Sequence, residues 1–312
     1  MSLGFVFPGQ GSQAVGMLGD LAADYSQVAE HFSRAGEAIG APLWDIVRSG
    51  PEERLNSTEI TQPALLVASA ALWSLWRDQG GPLPSLLAGH SLGEYSALVC
   101  GGALSLEAGA RLVHQRGKLM QEAVPNGQGT MAAVLGLDDN VVQDCCEQVA
   151  DVVSPANYNA PGQVVIAGTV AGVEAAVERC KQAGARRATM LTVSGPFHCQ
   201  LMEPARDAFA EVLADADLRM PDIPVVHNVD GTIAEDLAQL KAKLVAQIAA
   251  PVQWTTCVQN MRDAGVSRLI ECGAGKVLAG LSKRIDRSLP TDSIGTIDGL
   301  NDGLQAVLSS EA

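Results

Sequence analysis

Residues 85–94 read Ser-Leu-Leu-Ala-Gly-His-Ser-Leu-Gly-Glu, and residues 89–93 of this stretch fit the pattern G-x-S-x-G. The apolar run from Ser85 to Ala88 predicts a strand, and a helix is predicted to begin close to Glu94. A serine between two glycines at such a junction lies on a sharp turn, with its hydroxyl exposed and the next backbone N–H free to bind an oxyanion. A Cβ on either glycine would collide with the neighbouring strand or helix. Ser91 is therefore the predicted nucleophile, and a chance Gly/Ser turn is the alternative.

On both sides of this turn, short apolar runs bounded by Gly or Pro alternate with longer Ala-rich stretches of helical period. This alternation favours an α/β fold with a mainly parallel sheet. Leu3 to Phe7 is a predicted strand, and Leu106 to Ala123 is a predicted helix with Ser105 as its N-cap. A further strand is predicted at 224–228 and a strand-turn-helix at 268–287. Together with the serine turn, these elements predict a large α/β-hydrolase-like domain.

The region between residues 130 and 193 follows a different plan. Its predicted order is strand (131–135), helix (140–150), strand (152–153), strand (164–167), helix (173–183) and strand (188–193), with a turn at Asn159-Ala160-Pro161-Gly162. This βαββαβ order predicts a ferredoxin-like subdomain. We place it at 127–195, after a Pro-Asn-Gly boundary, inserted into a large catalytic domain formed by residues 1–126 and 196–312.

Charge and composition exclude several classes of protein. The 312 residues include 35 acidic and 21 basic side chains, for a formal net charge of −14. Such a chain repels nucleic acid and anionic lipid. No apolar run approaches the length of a membrane span, and the N-terminus lacks the basic and apolar regions of a secretory signal. We therefore expect neither a nucleic-acid nor a membrane partner.

The cysteines and histidines predict no metal site. Seven cysteines include the adjacent pair Cys145-Cys146 but no C-x-x-C, which favours a reduced, cytoplasmic chain with buried thiols. None of the five histidines lies in H-E-x-x-H or at the spacing of a metal-binding helix. No metal is expected.

A serine nucleophile needs a base, and in such folds the base lies far downstream in the chain. His198 follows a predicted strand and a tight Ser194-Gly195-Pro196-Phe197 turn, which would hold it on a fixed loop. His227, beside Asn228 at the end of another predicted strand, is the competitor. We prefer His198, although either imidazole could have a purely structural role.

Six segments of the chain resemble one family, the malonyl-CoA:acyl-carrier-protein transacylases of bacterial type II fatty acid synthesis. The resemblance runs nearly from end to end of the chain. The segments are an opening loop (7–13), the serine motif (89–95), Gln115-Arg116-Gly117, a subdomain loop (157–163), Gly195-Pro196-Phe197-His198 and a glutamine segment (247–254). Six motifs in the right order are more specific than any one of them.

The resemblance implies a role for each matching residue. Ser91 would accept the acyl group and His198 would be its base. The backbone N–H groups of Gln10 and Leu92 would form the oxyanion hole, and Gln247 would orient the histidine where a hydrolase uses Asp or Glu. A triad with an aspartate stays open.

The family's substrates follow from the same resemblance. Arg116 would bind the free carboxylate of the malonyl group, for which a planar guanidinium is well suited. Phe197 would crowd an α-methyl group. Malonyl-CoA would be the acyl donor and acyl carrier protein the acceptor, with no cofactor consumed.

Acyl carrier proteins are typically acidic, so a chain of charge −14 needs a local basic patch to meet one. On the predicted helix after Gly275, the basic side chains that share or border one face are Lys276, Lys283, Arg284 and Arg287. A second basic cluster consists of Lys181, Arg186 and Arg187. These two clusters are the predicted docking residues, and ordinary solvated charges are the alternative.

Two other functions are compatible with the sequence. A serine hydrolase or thioesterase would use the same serine turn with water as acceptor, but it has little use for a cation that demands an acidic acyl group. A non-catalytic scaffold for a carrier protein would not need Ser91 and His198. The segment Gly273-Ala274-Gly275-Lys276 suggests a nucleotide loop, yet Ile270, Val277 and Leu278 stand where the nucleotide motifs require other residues.

Overall fold

Two β-sheets, built from separate stretches of chain, organise the fold. A computed structural model describes residues 2–125 and 127–309; Met1, residues 310–312 and Asn126, which forms part of the predicted boundary, lie outside the described residues. The described strands are β1 (Leu3–Phe7), β2 (Leu86–Gly89), β3 (Gly129–Leu135), β4 (Val153–Ala160), β5 (Gln163–Thr169), β6 (Arg187–Met190), β7 (Val225–Val226), β8 (Arg268–Glu271) and β9 (Thr291–Ser293).

Helices cover both sheets. They are α1 (Gly19–Asp24), α2 (Ser26–Ile39), α3 (Leu43–Ser49), α4 (Glu52–Leu55), α5 (Thr58–Asp78), α6 (Leu92–Cys100), α7 (Leu106–Glu122), α8 (Asp139–Glu147), α9 (Val170–Gln182), α10 (Glu203–Ala214), α11 (Leu237–Gln247), α12 (Trp254–Asp263), α13 (Val277–Ile285) and α14 (Ile297–Leu308), with a 3₁₀ turn at Gln200–Met202. The predicted N-cap Ser105 accepts a hydrogen bond from the backbone N–H of Ala108. In the described parts of the chain, no helix combines the length and the apolar character needed to cross a bilayer.

The larger sheet has the strand order β7-β2-β1-β8-β9, and all neighbouring strands are parallel. Every residue of β1 and β2 is buried, as expected for parallel strands covered by helices on both faces. The predicted α/β fold with a mainly parallel sheet is confirmed. Strand β7 is shorter than the predicted 224–228 because His227 begins a turn, in which it donates to the carbonyl of Thr232 and accepts from the N–H of Gly231.

The smaller sheet has the order β4-β5-β3-β6, with every pair antiparallel. Helices α8 and α9 cover one face and enclose a separate apolar core. The other face contributes Met131, Ala156 and Val165 to the core of the large sheet. This is the predicted βαββαβ plan, and the ferredoxin-like fold of the region is confirmed.

Strand β4 is longer than predicted. The turn expected at residues 159–162 is confined to Pro161 and Gly162, because Asn157 and Tyr158 pair with β5 in the sheet. On the other edge of β4, the N–H of Tyr158 donates to the carbonyl of Val252, and the N–H of Val252 donates to Ala156. The segment around Val252 therefore ties the small sheet to the large subdomain.

The serine turn joins β2 to α6 as the sequence predicts. A Cβ on Gly89 would lie 1.9 Å from the carbonyl carbon of Gly93, and a Cβ on Gly93 would lie 2.0 Å from the carbonyl oxygen of Phe7. Ser91 between them has φ 50° and ψ −106°, a conformation rare for residues other than glycine. Helix α6 begins at Leu92, two residues before the predicted start.

Candidate active site

Ser91 and His198 meet at the C-terminal end of the parallel sheet. The hydroxyl of Ser91 lies 2.6 Å from Nε2 of His198, and Nδ1 of His198 lies 2.8 Å from the backbone carbonyl oxygen of Gln247. Because a carbonyl only accepts, Nδ1 carries the proton and Nε2 accepts from the serine hydroxyl. The imidazole is thus held in the tautomer that a general base requires.

Burial keeps this imidazole neutral. His198 is 3% exposed, and its pKa is lowered to about 3, mainly by desolvation. The nearby positive charge of Arg116 contributes to this lowering, and the hydrogen bond to Gln247 opposes it. At neutral pH the free site therefore holds a neutral base beside the serine hydroxyl.

His227 occupies a different position. Its Nδ1 lies 2.7 Å from a carboxylate oxygen of Glu94, and both side chains are buried. Among the described residues, His198 is the one that both contacts the Ser91 hydroxyl and can act as a base. The structure thus brings His198, and not the competing His227, to the serine.

Arg116 lies on α7 with 1% of its surface exposed, and its guanidinium reaches the same serine. One terminal nitrogen donates to the Ser91 hydroxyl (3.2 Å) and to Oε1 of Gln247 (2.8 Å), and the other donates to Oε1 of Gln62 (2.8 Å). The guanidinium carbon lies 5.1 Å from the centre of the Tyr95 ring. Within the described chain, Nε of Arg116 has no hydrogen-bond partner. The cation is therefore held by neutral groups only.

The two residues predicted to form the oxyanion hole follow neighbouring parallel strands. Phe7 of β1 is paired with Gly89 of β2, and Gln10 and Leu92 each lie three residues further on. A Cβ on Gly9 would lie 2.5 Å from the carbonyl oxygen of His90, so the two loops pack closely. In the residues that the structure describes, neither the N–H of Gln10 nor that of Leu92 donates a hydrogen bond. Both donors are therefore free for a ligand.

Gln247 contacts His198 in a way that the sequence leaves open. The acceptor for the imidazole is the backbone carbonyl, while the side-chain amide points elsewhere. Its Oε1 accepts from Arg116, and its Nε2 donates to the carbonyl of Ser91 (3.0 Å) and to Glu94 (2.9 Å). One residue therefore orients the base, the arginine and the serine backbone.

Four contact residues were missed by sequence reasoning. Asn228 accepts from the Ser91 N–H (2.7 Å) and donates to the carbonyl of Gly89 (2.7 Å), and so it spans the strained turn. Glu94 accepts from the N–H of Asn228. Gln62 holds Arg116, and Asn159 holds His90 through a 2.7 Å contact with Nε2. Glu94 and Asn159 carried a signal, since they lie in the serine motif (89–95) and in the subdomain loop (157–163).

The predicted docking residues are all exposed, but the helix argument for the first cluster is wrong in part. Helix α13 ends at Ile285, because the backbone is extended at Asp286, so Arg287 lies beyond the helix and Lys276 is its N-cap. Lys283 and Arg284 share its last turn. Arg284 donates to Oε1 of Gln163 on β5, which places this turn at the seam between the two sheets.

The second predicted cluster lies at one end of the small sheet. Lys181 is paired with Glu178, and Arg187 donates from Nε to Thr189. Arg186 lies against Gly136 with its side chain exposed. Gln163, which accepts from Arg284 of the first cluster, and Arg187 of the second cluster are both paired with Leu135 of β3, so the two clusters lie near the same end of the small sheet.

The cysteines and the possible metal ligands are the other candidates for chemistry at this site. All seven cysteines are free and buried. Over the described residues, no group of His, Cys, Asp and Glu side chains could hold a metal ion.

Comparison with known proteins assigns the family. The family model described as acyl transferase domain matches residues 4–285. This chain belongs to the acyl transferase family. A malonyl CoA-acyl carrier protein transacylase of Salmonella typhimurium is 53% identical over 292 residues, which cover 93% of this chain and 94% of that protein. The resemblance stated from the sequence motifs is therefore confirmed.

Solved structures of similar acyl transferases share the fold over nearly the whole chain. The crystal structure of an acyl carrier protein S-malonyltransferase from Vibrio cholerae has a TM-score of 0.94 and 49% identity, and the match covers 97% of this chain and 100% of that one. A malonyl-transacylase in complex with a type II PKS acyl-carrier protein has a TM-score of 0.97 and 48% identity, with 98% and 100% covered.

The pH dependence of serine reactivity tests the state of His198 in this acyl transferase. We expect a sulfonyl fluoride to label Ser91 at a rate that changes by less than about twofold between pH 5 and pH 8, because a base with a pKa of about 3 stays neutral throughout. Intact-protein mass spectrometry follows the labelling, with Ser91→Ala as the unlabelled control. A loss of rate with a midpoint near pH 6.5 would contradict the neutral, buried imidazole.

Proposed function

We propose that this acyl transferase moves a malonyl group from malonyl-CoA to the phosphopantetheine thiol of an acyl carrier protein, through a malonyl-Ser91 intermediate, in fatty acid biosynthesis. The observation that carries the proposal is the contact between Arg116 and Ser91: a buried guanidinium lies 3.2 Å from the nucleophilic oxygen. A cation at this distance matches an acyl group with its own carboxylate. The transacylase relatives named above support the same reaction.

In the first half-reaction, Oγ of Ser91 attacks the thioester carbonyl while His198 Nε2 takes the hydroxyl proton. The N–H groups of Gln10 and Leu92 receive the oxyanion of the tetrahedral intermediate. The C–S bond then breaks, and the proton on His198 passes to the leaving sulfur, so that CoA departs as its thiol. The products are malonyl-Ser91 and CoA.

The second half-reaction reverses these steps with a new thiol. The phosphopantetheine sulfur of the carrier protein gives its proton to His198 and attacks the serine ester. Collapse of the intermediate returns the proton to Oγ of Ser91. The reaction is a ping-pong exchange that consumes no cofactor, and every proton moves through one imidazole.

Acylation also frees a donor of Arg116. In the free site one terminal nitrogen donates to the Ser91 hydroxyl, which becomes a weakly accepting ester oxygen after acylation. Two N–H groups of Arg116 are then available for the malonyl carboxylate. One is the N–H released by Ser91, and the other is the second N–H on the nitrogen that binds Gln62. The neutral amides of Gln62 and Gln247 stay in place beside it.

The same contacts disfavour the alternative of a serine hydrolase or thioesterase. A general esterase gains nothing from a buried cation at the acyl site, because a neutral acyl chain cannot compensate for its desolvation. A non-catalytic scaffold is disfavoured by the formed contact between Ser91 and His198.

The proposal extends to the organisation of the chain and its location. We take 127–195 as the small subdomain and 1–126 with 196–312 as the catalytic domain, since β3 to β6 lie between Gly129 and Met190. The seven free cysteines favour a reducing compartment, and we propose the cytoplasm.

The acyl-enzyme provides the direct test of this function. Wild-type protein mixed with malonyl-CoA should gain the mass of one malonyl group, and added holo acyl carrier protein should take it up. Ser91→Ala should fold and gain no mass, because only one hydroxyl is removed from a half-buried turn. Intact-protein mass spectrometry decides both points, and an adduct of undiminished yield on Ser91→Ala would reject Ser91 as the nucleophile. Release of the label to water rather than to the carrier protein would favour the hydrolase.

Donor selectivity tests the role of Arg116. We expect Arg116→Ala to lower malonyl transfer on the order of 100-fold, while acetyl transfer changes by less than about threefold, because only the malonyl carboxylate loses its partner. Transfer from each donor is measured at equal concentration. Arg111→Ala, an exposed arginine on the same helix, is the matched control. Equal losses for both donors would argue against a carboxylate site.

Charge reversal tests the docking residues. Replacing Lys283 and Arg284 by Glu, and separately Arg186 and Arg187, should raise the KM for carrier protein several-fold at low salt for at least one pair, since that pair then repels an acidic partner. Acylation by malonyl-CoA should not change. Arg48→Glu on α3 provides a control of equal charge change per residue. An unchanged KM for both pairs would reject both surfaces.

A further inference from the structure

Arg116 poses an electrostatic problem that the contacts around it do not solve. The side chain is almost completely buried, and its partners are Gln62, Gln247, the Ser91 hydroxyl and the Tyr95 ring, all neutral. Among the described residues, none of the ion pairs includes Arg116. Burying an unpaired cation is strongly unfavourable, so the free protein needs a negative charge near this site.

Glu94 is a buried carboxylate that does not contact Arg116 itself but contacts its partner Gln247. It is 0% exposed, and three donors converge on it: Nδ1 of His227 (2.7 Å), the N–H of Asn228 (2.9 Å) and Nε2 of Gln247 (2.9 Å). An imidazole N–H supplies the first of these donors, and amide N–H groups supply the other two. The donors leave the carboxylate charge facing the amide of Gln247.

We propose that Glu94 is the counter-charge of Arg116 and acts through the side-chain amide of Gln247. This amide donates to Glu94 from Nε2 and accepts from Arg116 at Oε1, so its dipole is aligned between the two charges. A carboxylate only accepts and a guanidinium only donates, so the amide satisfies both in this orientation alone. In a buried, weakly polarisable environment such an aligned chain transmits charge interactions well.

The indirect arrangement has a chemical purpose, which rests on the function proposed above. A carboxylate in direct contact with Arg116 would occupy the N–H groups that the malonyl carboxylate has to reach. A carboxylate placed one amide away stabilises the cation and leaves those N–H groups open. Glu94 is therefore a positioning residue, since it acts through Gln247 and touches neither substrate nor Ser91 Oγ.

A double-mutant cycle on the unacylated protein tests this role. Glu94→Gln keeps the size of the side chain and removes its charge. We expect it to lower the midpoint of thermal unfolding on the order of 5 °C in the wild-type background, and by less than half as much beside Arg116→Met, where no cation remains to balance. An equal drop in both backgrounds would overturn the proposal and leave Glu94 with a local role at the serine turn.

Glu271 provides the matched control. It is also a 0% exposed carboxylate, but it accepts from the backbone N–H groups of Leu278 and Ala279 at the start of α13 and from Ser293. Glu271→Gln should therefore destabilise the protein equally with and without Arg116→Met. If Glu94→Gln alone fails to fold, Arg116→Met should restore folding in the double variant; failure of both would count against the proposal.

Acylation gives a second, independent readout. A malonyl group on Ser91 brings its own carboxylate to Arg116, so it should raise the unfolding midpoint of Glu94→Gln more than that of the wild type. Acetylation should raise both equally, because it brings no charge. Equal effects of malonylation would contradict the counter-charge. If the wild type forms no malonyl adduct, the proposed function fails, and the cycle on unacylated protein still decides the role of Glu94.

Discussion

The backbone of Ser91, held at a positive φ between two glycines that leave no room for a Cβ, is the constraint on which the rest of the site depends. A non-glycine residue in this conformation costs about 1–3 kcal/mol and persists only where its surroundings fix it. Here the surroundings are specific hydrogen bonds: Asn228 accepts from the serine N–H, and Gln247 donates to the serine carbonyl. The strain is thus offset by buried amides contributed by distant parts of the chain.

Elements with a strong local pattern could be predicted from the sequence, and those defined by distant contacts could not. Buried parallel strands such as β1 read as continuous apolar runs, and the serine turn carries its own glycine pattern. The strand predicted at 152–153 is much shorter than β4, because asparagines disfavour strands. The structure nevertheless places Asn157 and Asn159 in β4. The end of α13 was missed because nothing in its basic pattern marks Asp286 as a stop.

The site shows the same limit. Family motifs placed Ser91, His198 and Arg116, but the contacts of Glu94 with Asn228 and Gln247 join residues more than a hundred positions apart and leave no local pattern. The group that orients His198 is a backbone carbonyl, which every residue carries. Without a carboxylate partner, the imidazole is a weak base and readily returns its proton. That behaviour suits thioester exchange, where the departing sulfur needs little assistance.

The pairing of Phe7 with Gly89 means that the central sheet sets the geometry of the proposed oxyanion hole. Because Gln10 and Leu92 extend from adjacent strands by equal lengths of chain, the spacing of the two N–H donors is set by strand register. A slip of one residue between β1 and β2 would move one donor about 3.3 Å along the strand direction, which exceeds the tolerance of a hydrogen bond. A single-residue insertion between Phe7 and Gln10 would therefore misplace the N–H of Gln10, while the side chains of Ser91 and His198 stay in place.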